Sequence, residues 1–258
     1  MYPVFFEIGS FTLHTYGLFV ALGLLAAIMV SKKLAASRNI APQTVSDLFF
    51  VIMLSAIFGA RLLYVAINLE YYQHNFIEIF KIWNGGLVFF GGFLGAVIAV
   101  AVYIRYQKMD LWVTADVLAP GIALGHAIGR IGCLAAGCCY GRQCDLPFAI
   151  QFNHPATLAP MGIDLHPTQI YMVLSNLVLF SILLVMIKRN HFKGQIFLSY
   201  IILYALFRSF IEFFRGDFRG DFLFDFISLS QGIGLLVLVV AIGFMIKLKK
   251  VSSSNDTR

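Results

Sequence analysis

Five charged residues stand in stretches that are otherwise apolar: Arg61, Asp116, Arg130, Arg208 and Glu212. A charge in hydrocarbon costs roughly 2.5–3.5 kcal/mol on insertion scales, which makes each a candidate for function. Their spacing groups them. Tyr204, Arg208, Glu212 and Arg215 follow i, i+4, i+8, i+11 and share one helical face, while His126, Arg130 and Cys133 follow i, i+4, i+7 and share another. Guanidinium groups offer bidentate donors to phosphate. Two such faces brought together would hold a phosphate ester and the negative charge that develops on it as a bond breaks. Each position also has a bland reading. Arg61 could snorkel outward or pair with Asp116 as a bundle staple, and Arg208 with Glu212 could be a structural ion pair.

The four cysteines, Cys133, Cys138, Cys139 and Cys144, fall within twelve residues. A disulfide framework would spread them along the chain, so they mark one local site. A small loop-closing disulfide between Cys139 and Cys144 stays open as an alternative. The spacing C-x4-C-C-x4-C matches no common metal or iron–sulfur pattern, and no metal is expected.

These residues sit in a chain of 258 residues with 60% hydrophobic and only 12% charged residues. Soluble domains carry about 25% charged residues. The composition excludes disorder, a collagen-like fibre and a disulfide scaffold, and leaves an all-α integral membrane protein. Seven apolar runs are long enough to span, at roughly 14–35, 46–68, 86–106, 112–136, 166–187, 194–214 and 227–247. The fourth, with Pro120 and many small residues, is the least regular. One seven-helix domain over 1–250 is expected, followed by a polar, unstructured cytoplasmic tail at 251–258.

Charge sets the orientation. Of 19 Lys and Arg, twelve fall in one set of loops, four (Lys81, Arg142, Arg215, Arg219) in the opposite set, and three inside the spans. Positive-inside bias then puts the N-terminus outside and the C-terminus in the cytoplasm. The net charge of +6 is topological, so no nucleic-acid partner is expected. With the first Lys at position 32, the N-terminus lacks the basic region of a cleavable signal peptide. At about 1.5 Å per residue, Arg61, Arg130 and Arg208 rise roughly 22, 27 and 21 Å from the cytoplasmic face. They meet Tyr16 and the glycines Gly85, Gly86, Gly91 and Gly92 in the outer half. The glycine pairs serve either close helix packing or ligand approach. The outer loop from about Tyr140 to Asp164 is expected to be irregular, and the acidic, aromatic segment Asp217–Asp225 faces out with it.

Four segments, read with His166-Pro-Thr-Gln169-Ile-Tyr171, carry a resemblance through nearly the whole chain: Tyr16-Gly17, GGLVFFGG at 85–92, HAIGRIGCLAAGCCYGR at 126–142 and YALFRSFIEFFRGD at 204–217. Together they resemble the phosphatidylglycerol–prolipoprotein diacylglyceryl transferase family. The resemblance implies a seven-helix enzyme of the bacterial inner membrane with its active site near the outer leaflet. Its substrates would be phosphatidylglycerol and the lipobox cysteine of prolipoprotein signal peptides, both met in the lipid bilayer. The products would be a thioether-linked lipid and glycerol 1-phosphate, in the first step of lipoprotein maturation, without metal or organic cofactor. Carried over by motif, Arg130 would bind the headgroup and Arg208 would be a second essential cation. Tyr16 and Tyr204 would position substrate, Glu212 would orient Arg208 or Arg215, and Gly141 would shape the chain after the signature. His166 and Gln169 would stand close to the outer mouth, and Gly91 and Gly92 would approach substrate.

Three positions depart from the family pattern. Phe90 stands where His is frequent, Cys133 where Asn is usual, and Cys138 where Glu is usual. This leaves open which group takes the acceptor thiol's proton. His126 is one candidate, although neighbouring Arg charge opposes its protonation. Cys133 or Cys138 could be a polar stand-in. The third reading, preferred here, has no dedicated base: Arg130 and Arg208 lower the substrate thiol's pKa. Two rivals of another class are an anion transporter, disfavoured by the absence of internal repeats, and a redox protein built on the cysteines. A relative with a changed lipid donor or acceptor is a closer rival. On the preferred reading His126→Gln keeps most transfer activity; a loss of about 10³-fold or more, the scale of a general base, would overturn it.

Overall fold

The computed structural model describes residues 2–8, 11–189, 192–217, 222–223 and 227–256. Arg219, Arg258 and most of the expected outer segment 217–225 lie outside them. Seven helices are long and apolar enough to cross a membrane: α1 (Thr15–Ala36), α2 (Pro42–Ile67), α4 (Phe89–Tyr106), α5 (Leu111–Ala136), α6 (Thr168–Ile187), α7 (Gln195–Glu212) and α8 (Leu229–Asp256). They match the seven predicted runs to within a few residues at most ends. Their outer surfaces are apolar, with Met29, Phe58, Phe89 and Val239 among the exposed side chains. The helix α8 runs through the polar residues to Asp256, where an unstructured tail is expected.

Sequence periodicity missed the short elements, because each is fixed by few residues. A hairpin of β1 (Val4–Ile8) and β2 (Phe11–His14) precedes α1. The short helix α3 (Leu69–His74) and two 3-10 turns fill the connection from α2 to α4. A two-residue pair, β3 (Phe222–Leu223) and β4 (Ile227–Ser228), precedes α8.

The chain forms two compact units: residues 1–31 with 115–258, and residues 32–114. In the smaller unit α2 packs on α4 through glycine. A Cβ on Gly95 would lie 2.5 Å from the Ser55 carbonyl oxygen, and Gly91 and Gly92 are buried against Gly59, Leu63 and Ala56. The structure thus gives Gly91 and Gly92 a packing role, as small residues commonly have between membrane helices. Arg61 is buried here and spent on backbone. Its Nε donates to the Ile79 carbonyl at 2.9 Å, and Nη1 donates to those of Gly85 and Gly86 at 2.8 and 3.2 Å. The guanidinium also stacks between Tyr64 and Tyr72. Arg61 therefore ties the 78–86 connection to α2.

In the larger unit, Ala119 and Ala123 of α5, Leu179 and Leu183 of α6 and Ile196 of α7 form a fully buried core. α5 continues unbroken through Pro120. Its small residues take α1 at close range: a Cβ on Gly125 would lie 2.7 Å from the Gly23 carbonyl oxygen, and one on Gly132 would lie 3.3 Å from Tyr16 Cα. This row brings Tyr16 beside the end of α5.

Asp116 has a structural duty in this unit. Its Oδ2 accepts from Gly194 N–H at 2.7 Å and its Oδ1 from Phe197 N–H at 2.8 Å. The first N–H groups of a helix have no partner within it and favour negative charge. Asp116 therefore caps α7 from the side of α5 while Arg61 is answered by carbonyls, and the staple considered between them is replaced by these bonds. Asp116→Ala leaves the buried Gly194 N–H and the partly buried Phe197 N–H without their carboxylate. At about 1–3 kcal/mol for each unsatisfied buried group, thermal unfolding in detergent should show a clear loss of stability, with Asp116→Asn retaining part of it.

Candidate functional site

Two helices and one loop of the larger unit assemble the site. α5 carries His126, Arg130 and Cys133 on one face, and α7 carries Tyr204, Arg208 and Glu212, as the spacing predicts. Arg130 Nη2 lies 3.3 Å from His126 Nε2. The His126 ring sits 5.1 Å from the Tyr204 ring, and Tyr204 adjoins Arg130. Arg208 also lies within electrostatic reach of His126. The two predicted faces therefore meet at this imidazole. Tyr16, half-exposed in the first turn of α1, reaches toward Arg130 and the cysteines.

The cations are not equivalent. Arg208 pairs with Glu212, whose carboxylate also lies 3.6 Å from Arg215. Arg215 donates to Asp217 at 2.5 Å, and Glu212 accepts from Ser228 Oγ at 3.1 Å. Arg130 has no carboxylate partner among the described residues. Its Nε is buried without a hydrogen-bond partner. Such an orphan donor in a folded protein calls for an explanation, and the chemistry of a guanidinium points to a bound anion.

The loop after α5 holds the remaining candidates. It has no helix of its own, yet it is folded around Phe152, Ala159 and Leu165. Gly137 turns the chain with φ +72° and Cys139 follows at φ +61°. Gly141 N–H donates to His166 O at 3.2 Å, and Arg142 N–H donates to Phe214 O at 2.9 Å. A Cβ on Gly141 would lie 2.8 Å from the Phe214 carbonyl oxygen, so the loop can lie against the end of α7 only with glycine there. Gln169 donates to Cys138 O at 2.8 Å and Thr168 to Cys139 O at 2.7 Å, both side chains fully buried. His166 meets the Tyr171 hydroxyl at 3.1 Å. Burial, and then the Arg142 charge, pull its pKa below the usual imidazole value. His166 and Gln169 thus position the loop and stand behind it. Thr168, Ser228 and Asp217 went unnoticed as site residues because single hydroxyls and a loop carboxylate have no periodic signal.

None of the four cysteines is in a disulfide. The alternative pairing Cys139 with Cys144 is replaced by a cluster of Cys133, Cys138 and Cys139. Hydrogen bonds from the Cys133 and Cys138 thiols, aided by Arg215 and Arg130, hold the Cys139 thiol below its ordinary value. Hydrogen bonding within the cluster and burial push Cys138 up. An apolar groove of about 550 Å³ between α6, α7 and the loop runs past His166, Tyr171, Phe210 and Phe214.

The profile of the family described as prolipoprotein diacylglyceryl transferase matches residues 3–247. The chain belongs to this family. A phosphatidylglycerol–prolipoprotein diacylglyceryl transferase of Dehalococcoides mccartyi is 38% identical over 96% of this chain and 94% of its own. Those of Clostridium tetani and Finegoldia magna are 34% and 33% identical, covering 94% and 99% of this chain and 96% and 99% of theirs. The family agrees with a multi-pass membrane enzyme and with the resemblance carried by the motifs.

Glu212 pairs with two buried cations, Arg208 and Arg215, whereas Asp217 meets Arg215 from the more exposed end of the network. Breaking a buried pair by removing one partner costs about 3–5 kcal/mol. Glu212→Ala should therefore lower the unfolding temperature in detergent well beyond Asp217→Ala; equal effects would show that the Arg208 pair contributes little.

Proposed function

We propose that the chain transfers the diacylglyceryl group of phosphatidylglycerol to the lipobox cysteine thiol of a prolipoprotein signal peptide. The observation that carries this is Arg130: a guanidinium without a carboxylate among the described residues, with Arg208 acting on the same His126, in a family of diacylglyceryl transferases. Arg130 would take the phosphate of the headgroup in a bidentate grip. Arg208, fixed by Glu212, would supply the second positive charge. The acceptor sulfur attacks the glyceryl carbon bonded to the phosphate oxygen. The S–C bond forms as that C–O bond breaks, and the electron pair leaves on glycerol 1-phosphate. The thiol proton passes to water as the sulfur becomes thiolate, and no cofactor enters.

The two arginines favour the thiolate and the leaving phosphate through the same field. His126, against Arg130, is placed to orient that guanidinium, which fits a reaction with no dedicated base. Tyr16 and Tyr204 would bracket the reacting atoms. Cys133 and Cys138 would line the headgroup side, with Gly141, His166, Gln169 and Arg215 shaping the wall. The groove beside Phe210 suits an acyl chain, because its lining is almost wholly apolar. Gly91 and Gly92 would serve the packing of α4 on α2. The charge bias argues for an external N-terminus, a cytoplasmic C-terminus and a site facing the outer leaflet of a bacterial inner membrane.

The test is transfer in detergent from phosphatidylglycerol to a synthetic lipobox peptide, read by mass spectrometry. Wild type should add diacylglyceryl to the peptide cysteine. Arg130→Ala, with helix content unchanged, should lose at least the 10²–10³-fold typical of one electrostatic donor, about that scale. No transfer by folded wild type, or full transfer by the variant, would refute the assignment.

A further inference from the structure

Lining a headgroup does not require three thiols gathered on one point, yet the fold gathers them. The sulfurs of Cys133, Cys138 and Cys139 all lie within 4.8 Å of one another, with Cys133 buried and the other two partly buried. Three sulfurs at about 2.3 Å from a central ion in a trigonal plane would stand about 4.0 Å apart. The observed cluster needs less than an ångström of closure to reach that spacing.

The backbone around the triad is held firmly. Cys133 is on the last turns of α5. Gly137, in the left-handed region, reverses the chain, and Cys138 N–H donates back to Cys133 O at 3.1 Å. Cys139 itself adopts φ +61°, a conformation a cysteine holds only when its surroundings impose it. Thr168 and Gln169, both fully buried, hold the Cys139 and Cys138 carbonyls from α6. The sulfurs are thus presented by a preformed frame.

Donor type and charge then choose the ion. Thiolates select soft cations such as Cu(I) and Zn(II). Zn(II) favours four protein donors at structural sites, and among the described residues the cluster offers three, with no His or carboxylate in it. Three thiolates around a monovalent ion leave a charge of two minus. Arg130 and Arg215 adjoin the cluster, Arg130 with no carboxylate partner among the described residues and Arg215 shared with Glu212 and Asp217, so the positive side of the site faces the thiolates. The geometry points to a trigonal site for one thiophilic monovalent cation, of which Cu(I) is the representative, on Cys133, Cys138 and Cys139. Each ligating thiol gives its proton to water as its sulfur takes the ion, with no change of oxidation state. The linear spacing hides this site, because two of the ligands follow a helix end and a left-handed turn.

The experiment uses the full chain in detergent, reduced and kept anaerobic, with Cu(I) presented in a chromogenic Cu(I) chelator. Wild type should withhold one Cu(I) per chain. Cys133→Ser, Cys138→Ser and Cys139→Ser should each weaken retention by at least the roughly 10–100-fold that loss of an outer-shell partner brings. Cys144→Ser should behave as wild type. Alkylation footprinting of the wild type needs no variant: Cu(I) should protect Cys133, Cys138 and Cys139 and leave Cys144 open. No retention by folded wild type, retention that survives Cys133→Ser and Cys139→Ser, protection of Cys144 in place of the triad, or retention of Zn(II) but not Cu(I) would each overturn the proposal.

Discussion

A charge that leaves water for an apolar bundle must be answered inside the protein, and this constraint organises the chain. Arg61 is answered by carbonyl oxygens of the connection it ties down. Asp116 is answered by the N–H groups at the start of α7. Arg208 and Arg215 share Glu212, and Arg215 adds Asp217. Arg130 differs from them: among the described residues it has neither a carboxylate nor a ring of carbonyls, with the His126 ring and the Tyr204 hydroxyl beside it. The difference separates charges answered by the fold from one whose answer, on the proposed function, is the substrate phosphate.

That distinction was only half legible in the sequence. Composition and run length revealed the seven helices, because a span needs about 20 apolar residues whatever its neighbours are. Periodicity gave the faces of α5 and α7, since i, i+4 spacing is a property of the helix alone. Partners were not legible. Asp116 and Arg61 are opposite charges in predicted spans, and pairing them is reasonable until backbone donors and acceptors are counted. Those groups have no letter in the sequence. Gly91 and Gly92 show the same limit: a glycine pair states that something comes close, and only the fold shows that it is α2.

The loop after α5 marks where reading by spacing stops. Its order comes from contacts across more than twenty residues, such as Thr168 with Cys139 and Gly141 with His166. A left-handed turn at Gly137 converts an unpromising cysteine spacing into a compact triad. The same loop passes Arg142 and Gly141 along the end of α7, next to Arg215. One segment therefore sets the position of the thiols and shapes one wall of the cationic site.

The pairing pattern also ranks the two central arginines. A guanidinium locked to a carboxylate keeps its geometry, but the nearby negative charge offsets much of its field at a third group. Arg208 is in that position, so its value lies in placement: it presents fixed donors whose reorganisation is already complete. Arg130 has no carboxylate among the described residues, and its buried Nε, like that of Arg215, has no hydrogen-bond partner among them. An anion bound there would meet a charge that no described carboxylate offsets and would take up the unpaired donor. Preorganised charge in a site shielded from water is where electrostatic stabilisation is largest. A phosphate ester meeting this pair would find one arginine that draws it in and another that fixes how it lies.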